Sequence, residues 1–293
     1  MKRLFIGHTA KPVESTITFT AIPNELKCVY DIEDIVYAIN NQNQQDSELK
    51  LLELLNNRTD LVNYTLNCII NAATKAPKYI FDLISIFENI CKAYNSKKKL
   101  EIDPLLIPEN DSVWENILYD DVDKLQVKIA IPEFDFNQRN RADQTLIDYS
   151  ASCGSIQCFK ILLLHNCRVG RRTAEGAIHS GNYEIIRILE QKSIKFDNCL
   201  GIALENRRND IADWLYENYP VERVTISECI QYNNLQAFSF YLKNDYSLIE
   251  TYNSYSCLGI SVETENIDLI KFILPKGVEI NLGKISGGIQ YYF

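Results

Sequence analysis

Histidine is scarce in this chain. Three in 293 residues leave few imidazoles for general-base or metal-ligand work. His165 and His179 both fall inside helical patterns, where a packed or solvated ring is the ordinary reading. Glycine and proline are few as well, 11 and 8, too few for a loop-rich or disordered chain. No glycine-rich phosphate loop is present: "SGG" at 286–288 and "VGRR" at 169–172 lack both the spacing and the helix-start context. No apolar run approaches the roughly 18 residues of a membrane span, and the opening "MKRLFIGHTAKPVESTITF" lacks the apolar core of a secretory signal. A cytoplasmic protein with no membrane insertion is expected. Positive charge is in deficit, 30 Lys and Arg against 39 Asp and Glu for a formal charge of −9, which argues against nucleic acid as a partner of the molecule as a whole. "KKK" at 97–99 reads as a solvated turn.

Cysteine is plentiful but does not form a site pattern. Nine thiols are an odd count, contain no Cys-x-x-Cys, and fall mostly within helical apolar patterns, as expected of reduced core residues. Cys158, His165 and Cys167 match no common zinc frame. No metal and no cofactor are expected, and the sequons at Asn57, Asn63 and Asn110 are read as fortuitous.

What is present is helical periodicity. Residues 15–22, "STITFTAI", alternate weakly and suit a short strand or an extended tail. From Asp31 the spacing turns helical: Ile32, Ile35, Val36 and Ile39, then Leu49, Leu51, Leu52, Leu54 and Leu55 after the polar break "NNQNQQDS". "TDLVNYTLNCIINAAT" and "APKYIFDLISIFENICKAYN" follow, the latter with Pro77 just inside a helix start. Four helices are predicted over 31–95. The charged, proline-bearing "SKKKLEIDPLLIPEND" (96–111) is the best boundary. The predicted organisation is an extended or disordered N-terminus (1–30), a helical N-terminal domain with its linker (31–107), and a repetitive region (108–293).

The repetition emerges when "GNYEIIRILEQ" is aligned on Glu184. Asp123, Gln157, Glu184, Asp210, Gln236 and Asp268 form one acidic or amide column, which makes the central units 26 or 27 residues long. Two positions later stand Phe159, Ile186, Ala212, Phe238 and Ile270, and two after that Ile161, Ile188, Trp214, Phe240 and Phe272, the spacing of one helix face. Seven positions before the acidic column is a small residue, Ser150, Ala177, Ala203, Cys229 or Ser261, with Asn116 the exception. Each of the about six units is predicted to be helix, tight turn, helix, with the small column allowing close approach.

"FDFNQRNRADQTLIDYSASCGSIQCFKILLLHNCRV" (134–169) resembles an ankyrin repeat and its preceding loop. Asn137 falls on the family's loop Asn, Thr145, Ile147 and Ser150 on its Thr, Leu and Ala, and Gly154 on the Gly that ends the first helix. "IDLIKFILPKGVEIN" (267–281) is similar to the second helix and the turn after it. Leu146 and Asp148 depart from the motif's Pro and His, and about six residues are missing where a β-hairpin finger belongs. The chain resembles divergent short-repeat ankyrin proteins of unicellular eukaryotes that carry an N-terminal helical domain. The resemblance implies an all-α fold: an N-terminal helical region followed by an ankyrin-like α-solenoid with shortened central repeats.

A solenoid presents an extended concave face. On it the sequence is read to place Arg171, Arg172 and His179, with Arg207 and Arg208 at the corresponding turn one unit later. These cations either pair with neighbouring carboxylates or form a contact strip for an acidic peptide segment. Tyr183 is a candidate exposed anchor, whereas Trp214 lies in the apolar column. The function this supports is a non-catalytic protein-interaction module or scaffold. Two alternatives stand beside it: an adaptor whose N-terminal helices recruit a ubiquitin-ligase or trafficking complex, and an enzyme with an unrecognised site in the N-terminal half. The stretch "LGKISGGIQYYF" (282–293) is expected to cover the last unit through Ile289, Tyr291, Tyr292 and Phe293. If the thiols are reduced core residues, titration of the denatured protein without reductant should count all nine; a markedly lower count would place it in an oxidising compartment.

Overall fold

The computed structural model describes residues 16–100, 103, 106–220, 224–244, 251, 252 and 255–276. The N-terminal part is four helices, α1 (Lys27–Tyr37), α2 (Gln44–Asn57), α3 (Val62–Lys75) and α4 (Ile80–Ala93). Of their predicted apolar positions Ile32, Val36, Ile39, Leu51 and Leu55 are buried and Ile35, Leu52 and Leu54 half-buried, whereas Leu49 is exposed, a correction to the sequence pattern. The helical part begins earlier than the sequence pattern suggests, with a 3-10 turn at Asn24–Leu26 leading into α1.

Six helix pairs follow among the described residues: α5 (Val113–Leu118) and α6 (Val122–Ile129), α7 (Leu146–Cys153) and α8 (Ile156–Leu164), α9 (Arg171–Ser180) and α10 (Tyr183–Gln191), α11 (Leu200–Glu205) and α12 (Asn209–Asn218), α13 (Ile226–Gln231) and α14 (Leu235–Lys243), α15 (Cys257–Glu263) and α16 (Ile267–Ile273). The acidic or amide column is the second residue of every second helix, where negative charge suits the helix dipole. The small column lies on the first helices and is buried throughout, Asn116 included.

Two further columns set the turn. Each first helix ends on a residue in the left-handed region, Asp120, Gly154, Gly181, Arg207, Asn233 or Glu265, with φ between 51 and 71°. The next residue stands at the N-cap of the second helix, Asp121, Ser155, Asn182, Arg208, Asn234 or Asn266, and the side chains of Asp121, Asn182, Asn234 and Asn266 accept a backbone N–H there. Several of these caps also reach back to a carbonyl of the preceding unit. Ser155 Oγ donates to Ile117 O at 2.5 Å, Asn182 Nδ2 to Gly154 O at 2.9 Å and Asn234 Nδ2 to Leu204 O at 2.9 Å. At Asn182 and Asn234 one side chain thus closes a helix end and joins two units. The Asp148 departure is resolved in the same way. Its carboxylate receives the Thr145 hydroxyl at 2.7 Å, in a capping box, and the Thr173 hydroxyl of the next unit at 2.6 Å.

Among the described residues, hairpin character survives only in the two longest intervals. Arg139 bridges Thr145, and two-residue strands β1 (Thr251–Tyr252) and β2 (Tyr255–Ser256) pair antiparallel before α15. First helices stack on first helices, most closely α7 on α9, where a Cβ at Gly176 would stand 3.0 Å from Ser152 N.

The N-terminal helices seat on the turns of the last three units. Lys75 Nζ donates to Glu205 O at 2.7 Å, Asn67 Nδ2 to Thr264 O at 3.0 Å, and Arg58 forks onto Asp268 at 2.7 and 2.9 Å. Residues 16–20 are docked on the repeats as well: Ile17 is fully buried, and the Ile17 and Thr18 amides donate to the Asp213 carboxylate at 2.6 and 3.0 Å. The last helix, α16, packs against residues 24–26. The expectation for 282–293, and the turn read at Gly277–Asn281, lie outside the described residues.

At the centre of this seam is a buried ion pair. Glu33 is 1% exposed and receives Arg207, the Tyr64 hydroxyl at 2.6 Å and the Leu235 amide at 3.1 Å. Arg207 donates in addition to Asn233 O at 2.5 Å and lies 5.2 Å from the Tyr37 ring centroid. Burial pushes the Glu33 carboxyl up, opposed by Arg207 and by the Tyr64 and Leu235 bonds. Burial is the largest single influence on Arg207 and works against its charge, but Glu33 together with Tyr37 and Tyr64 outweighs it and the arginine is held protonated. Arg207→Met, which strands a buried carboxylate, should lower unfolding free energy by about 3–5 kcal/mol, whereas Glu33→Gln with Arg207→Met should recover much of that loss. Urea denaturation of the variants measures both.

Candidate functional site

A groove of about 740 Å³ crosses the first helices of the first four units. Its floor is Tyr149, Ser152, Gly176, His179 and Ile202. Trp114 stands edge-on to Tyr149 at 5.6 Å and forms an aromatic wall. One end is closed by Thr74, Lys75 and Pro77 of the N-terminal part, and the mouth carries linker residues 106–109 with the loop residues Arg139–Ala142.

The lining is mixed in charge, with cations at the mouth. Arg139 pairs with Asp143 at 3.4 Å, Arg141 with Glu109 at 3.1 Å and Arg172 with Asp143 at 2.7 Å, all between exposed side chains. Such pairs contribute little to folding and exchange readily for other carboxylates. The Asp143 carboxyl is held below its ordinary range by Arg172 and Arg139. Deeper in, burial brings the Lys75 ammonium down to about 8, with Glu205 opposing and Arg207 adding to the shift. Burial also lowers the His179 imidazole, opposed by a 3.2 Å contact of Nδ1 with Ser152 O.

The residues singled out from sequence are thereby divided. Arg172 and His179 line the groove. Arg171 is exposed beside it and pairs with Glu175 at 2.8 Å. Arg207 is buried in the ion pair with Glu33, so its place on the open concave face is corrected: its charge already has a permanent partner. Arg208 lies across Gly181 and donates to His179 O at 3.4 Å, in the role of a turn cap. The two arginine pairs do not correspond. Arg171 and Arg172 open a first helix, whereas Arg207 and Arg208 follow the end of one. Tyr183 is 52% exposed at the start of α10, with its hydroxyl on Asp210. Trp214 is half-buried between Phe196 and Tyr219, at 5.6 and 5.5 Å.

Lys75, Arg139, Arg141 and Trp114 were not singled out from sequence. They come from three separate segments that only the folded stack brings together. His165 stacks on Phe136 at 4.7 Å. Among the described residues no group of His, Cys, Asp and Glu side chains is placed to hold a metal ion, and no helix is long and apolar enough to cross a membrane.

Helix, left-handed turn, helix, opened by a Thr145 capping box and stacked through small residues, defines an ankyrin-like α-solenoid behind an N-terminal helical region. A family model described as a domain of unknown function (DUF3447) matches residues 165–241. A search of the curated proteins finds no match. Among solved structures, the crystal structure of the human ASB11 ankyrin repeat domain is similar, at 16% identity over 58% of this chain and 85% of that one, with a TM-score of 0.42.

All nine cysteines are free thiols. Burial pushes Cys153, at the groove, from 9.0 up to about 12, and raises Cys68, Cys158 and Cys229 as well. The folded state keeps protons that the unfolded chain releases above 9.0, so this stability is complete below that pH and falls as the pH rises toward 12. Lys75 acts oppositely between about 8 and 10.5, but it is one group against several. Urea midpoints should fall between pH 8 and pH 11, and Cys153→Ala should make the decline shallower.

Proposed function

We propose that this chain is a non-catalytic protein-interaction module that binds an acidic segment of a partner protein along the groove. The observation that carries this reading is the juxtaposition of three exposed arginines at the mouth with an aromatic wall in one continuous cleft. Arginine forks match carboxylates in a bidentate manner, and their present partners are exposed carboxylates that an incoming one can replace. The backbone beneath is a stack of capped helices, so little conformational freedom is lost on binding. A chain of charge −9 with a cationic mouth also orients an acidic partner toward that mouth.

The N-terminal helices are docked on the last three units and leave Leu49 on α2 and Phe81 on α4 exposed, at 67% and 60%. Those side chains favour a second contact surface, which would make the module an adaptor. The groove reading is tested with short fluorescein-labelled peptides rich in Glu and Tyr, followed by anisotropy. Arg139→Gln, Arg141→Gln and Arg172→Gln together should weaken binding about tenfold or more and flatten its salt dependence, with the melting temperature little changed. Equal binding by the triple variant would move the partner surface elsewhere.

A further inference from the structure

The closed end of the groove differs chemically from its mouth. Lys75, in the last turn of α3, reaches across the seam and donates one N–H to the backbone carbonyl of Glu205 at 2.7 Å, while the Glu205 carboxylate stands 4.0 Å from it. Its side chain is only 18% exposed and lies 5.8 and 5.9 Å from the centroids of the Tyr37 and Tyr232 rings. An ammonium ion has three protons to place, and the carbonyl takes one. His179 lines the same end from α9. Its Nδ1 faces Ser152 O, and a carbonyl can only accept, so Nδ1 carries the proton and Nε2 is left as the titrating nitrogen.

We infer that this end is an oxyanion subsite in which Lys75, with His179 beside it, receives the side-chain carboxylate of a Glu or Asp on the bound segment. The inference rests on the groove reading above and specifies where in the groove one acid is held. A charge withdrawn from water by the seam gains more from a directly bonded anion than an exposed arginine does, because the local dielectric is lower. Burial already lowers both Lys75 and His179, the state a bound anion would reverse. A carboxylate suits the site better than a phosphoryl group. One ammonium, facing Glu205 across the same space, cannot neutralise a dianion, and the nearby Arg207 and Arg208 are turned to Glu33 and to the His179 carbonyl. Since Lys75 belongs to the N-terminal helices and His179 to the third unit, the occupant would touch both parts of the chain.

The test is a cycle of protein and peptide changes with the same Glu- and Tyr-rich probes. Lys75→Met should weaken the parent peptide about tenfold, the scale of a charge-assisted bond. One Glu→Gln change in the peptide should cost wild type the same, and Lys75→Met should then cost nothing further; Lys75→Arg should recover most of the affinity. If every Gln-substituted peptide still loses the full amount with Lys75→Met, the two are uncoupled and the subsite is overturned, while the groove reading stands. If no acidic peptide binds wild type, the groove reading itself fails. A phosphoserine peptide that binds more tightly than its Glu counterpart, with the gain lost in Lys75→Met, would overturn the carboxylate assignment. Should Lys75→Met loosen the fold, as its melting curve would show, the Glu→Gln scan on wild type decides alone: equal small losses at every acid leave no place for a dedicated subsite.

Discussion

A carboxylate and a guanidinium shut away from water hold this molecule together. Glu33 belongs to the first helix and Arg207 to a turn of the fourth unit, yet the bonds around them also reach Asn233 and Leu235 of the fifth. The side chain that anchors the N-terminal helices therefore also bridges the fourth and fifth units of the stack. A left-handed backbone is costly for arginine and easy for glycine, and at Arg207 it is held by bonds that a glycine could not make. The same seating carries Lys75 to the closed end of the groove, so the geometry of the cleft depends on a contact well away from its mouth.

Stacking elsewhere follows simpler chemistry. Each unit needs a reversal between two helices, a cap for the second and a link to its neighbour. A left-handed residue followed by Asn supplies all three within two positions at Asn182 and Asn234. The finger of a full-length repeat contributes none of them. Shortened units can thus stack normally, and among the described residues hairpin pairing persists only where the interval is longest.

Much of this was legible in the sequence. The acidic, small and apolar columns located every helix pair, and Thr145, Ser150 and Gly154 occupy the structural positions their resemblance implied. The seam was not legible. Glu33 reads as a solvent residue of an amphipathic helix, and its partner lies 174 residues away. Arg207 and Arg208 were equated with Arg171 and Arg172 because both pairs lie beside first helices; only the helix direction shows that they lie at opposite ends. The groove was half legible. His179 and Arg172 lie in one unit, whereas Lys75 and Arg141 depend on long-range docking that no local pattern encodes.

Gly176 sets a limit of another kind. A helix-interior glycine costs about 1 kcal/mol relative to alanine, and here it permits the backbones of α7 and α9 to come nearly into contact, with Asp148 O 3.1 Å from where a methyl would stand. How near these two first helices can come, and with it the width of the cleft floor between Ser152 and Gly176, is set at that step by a single missing methyl group.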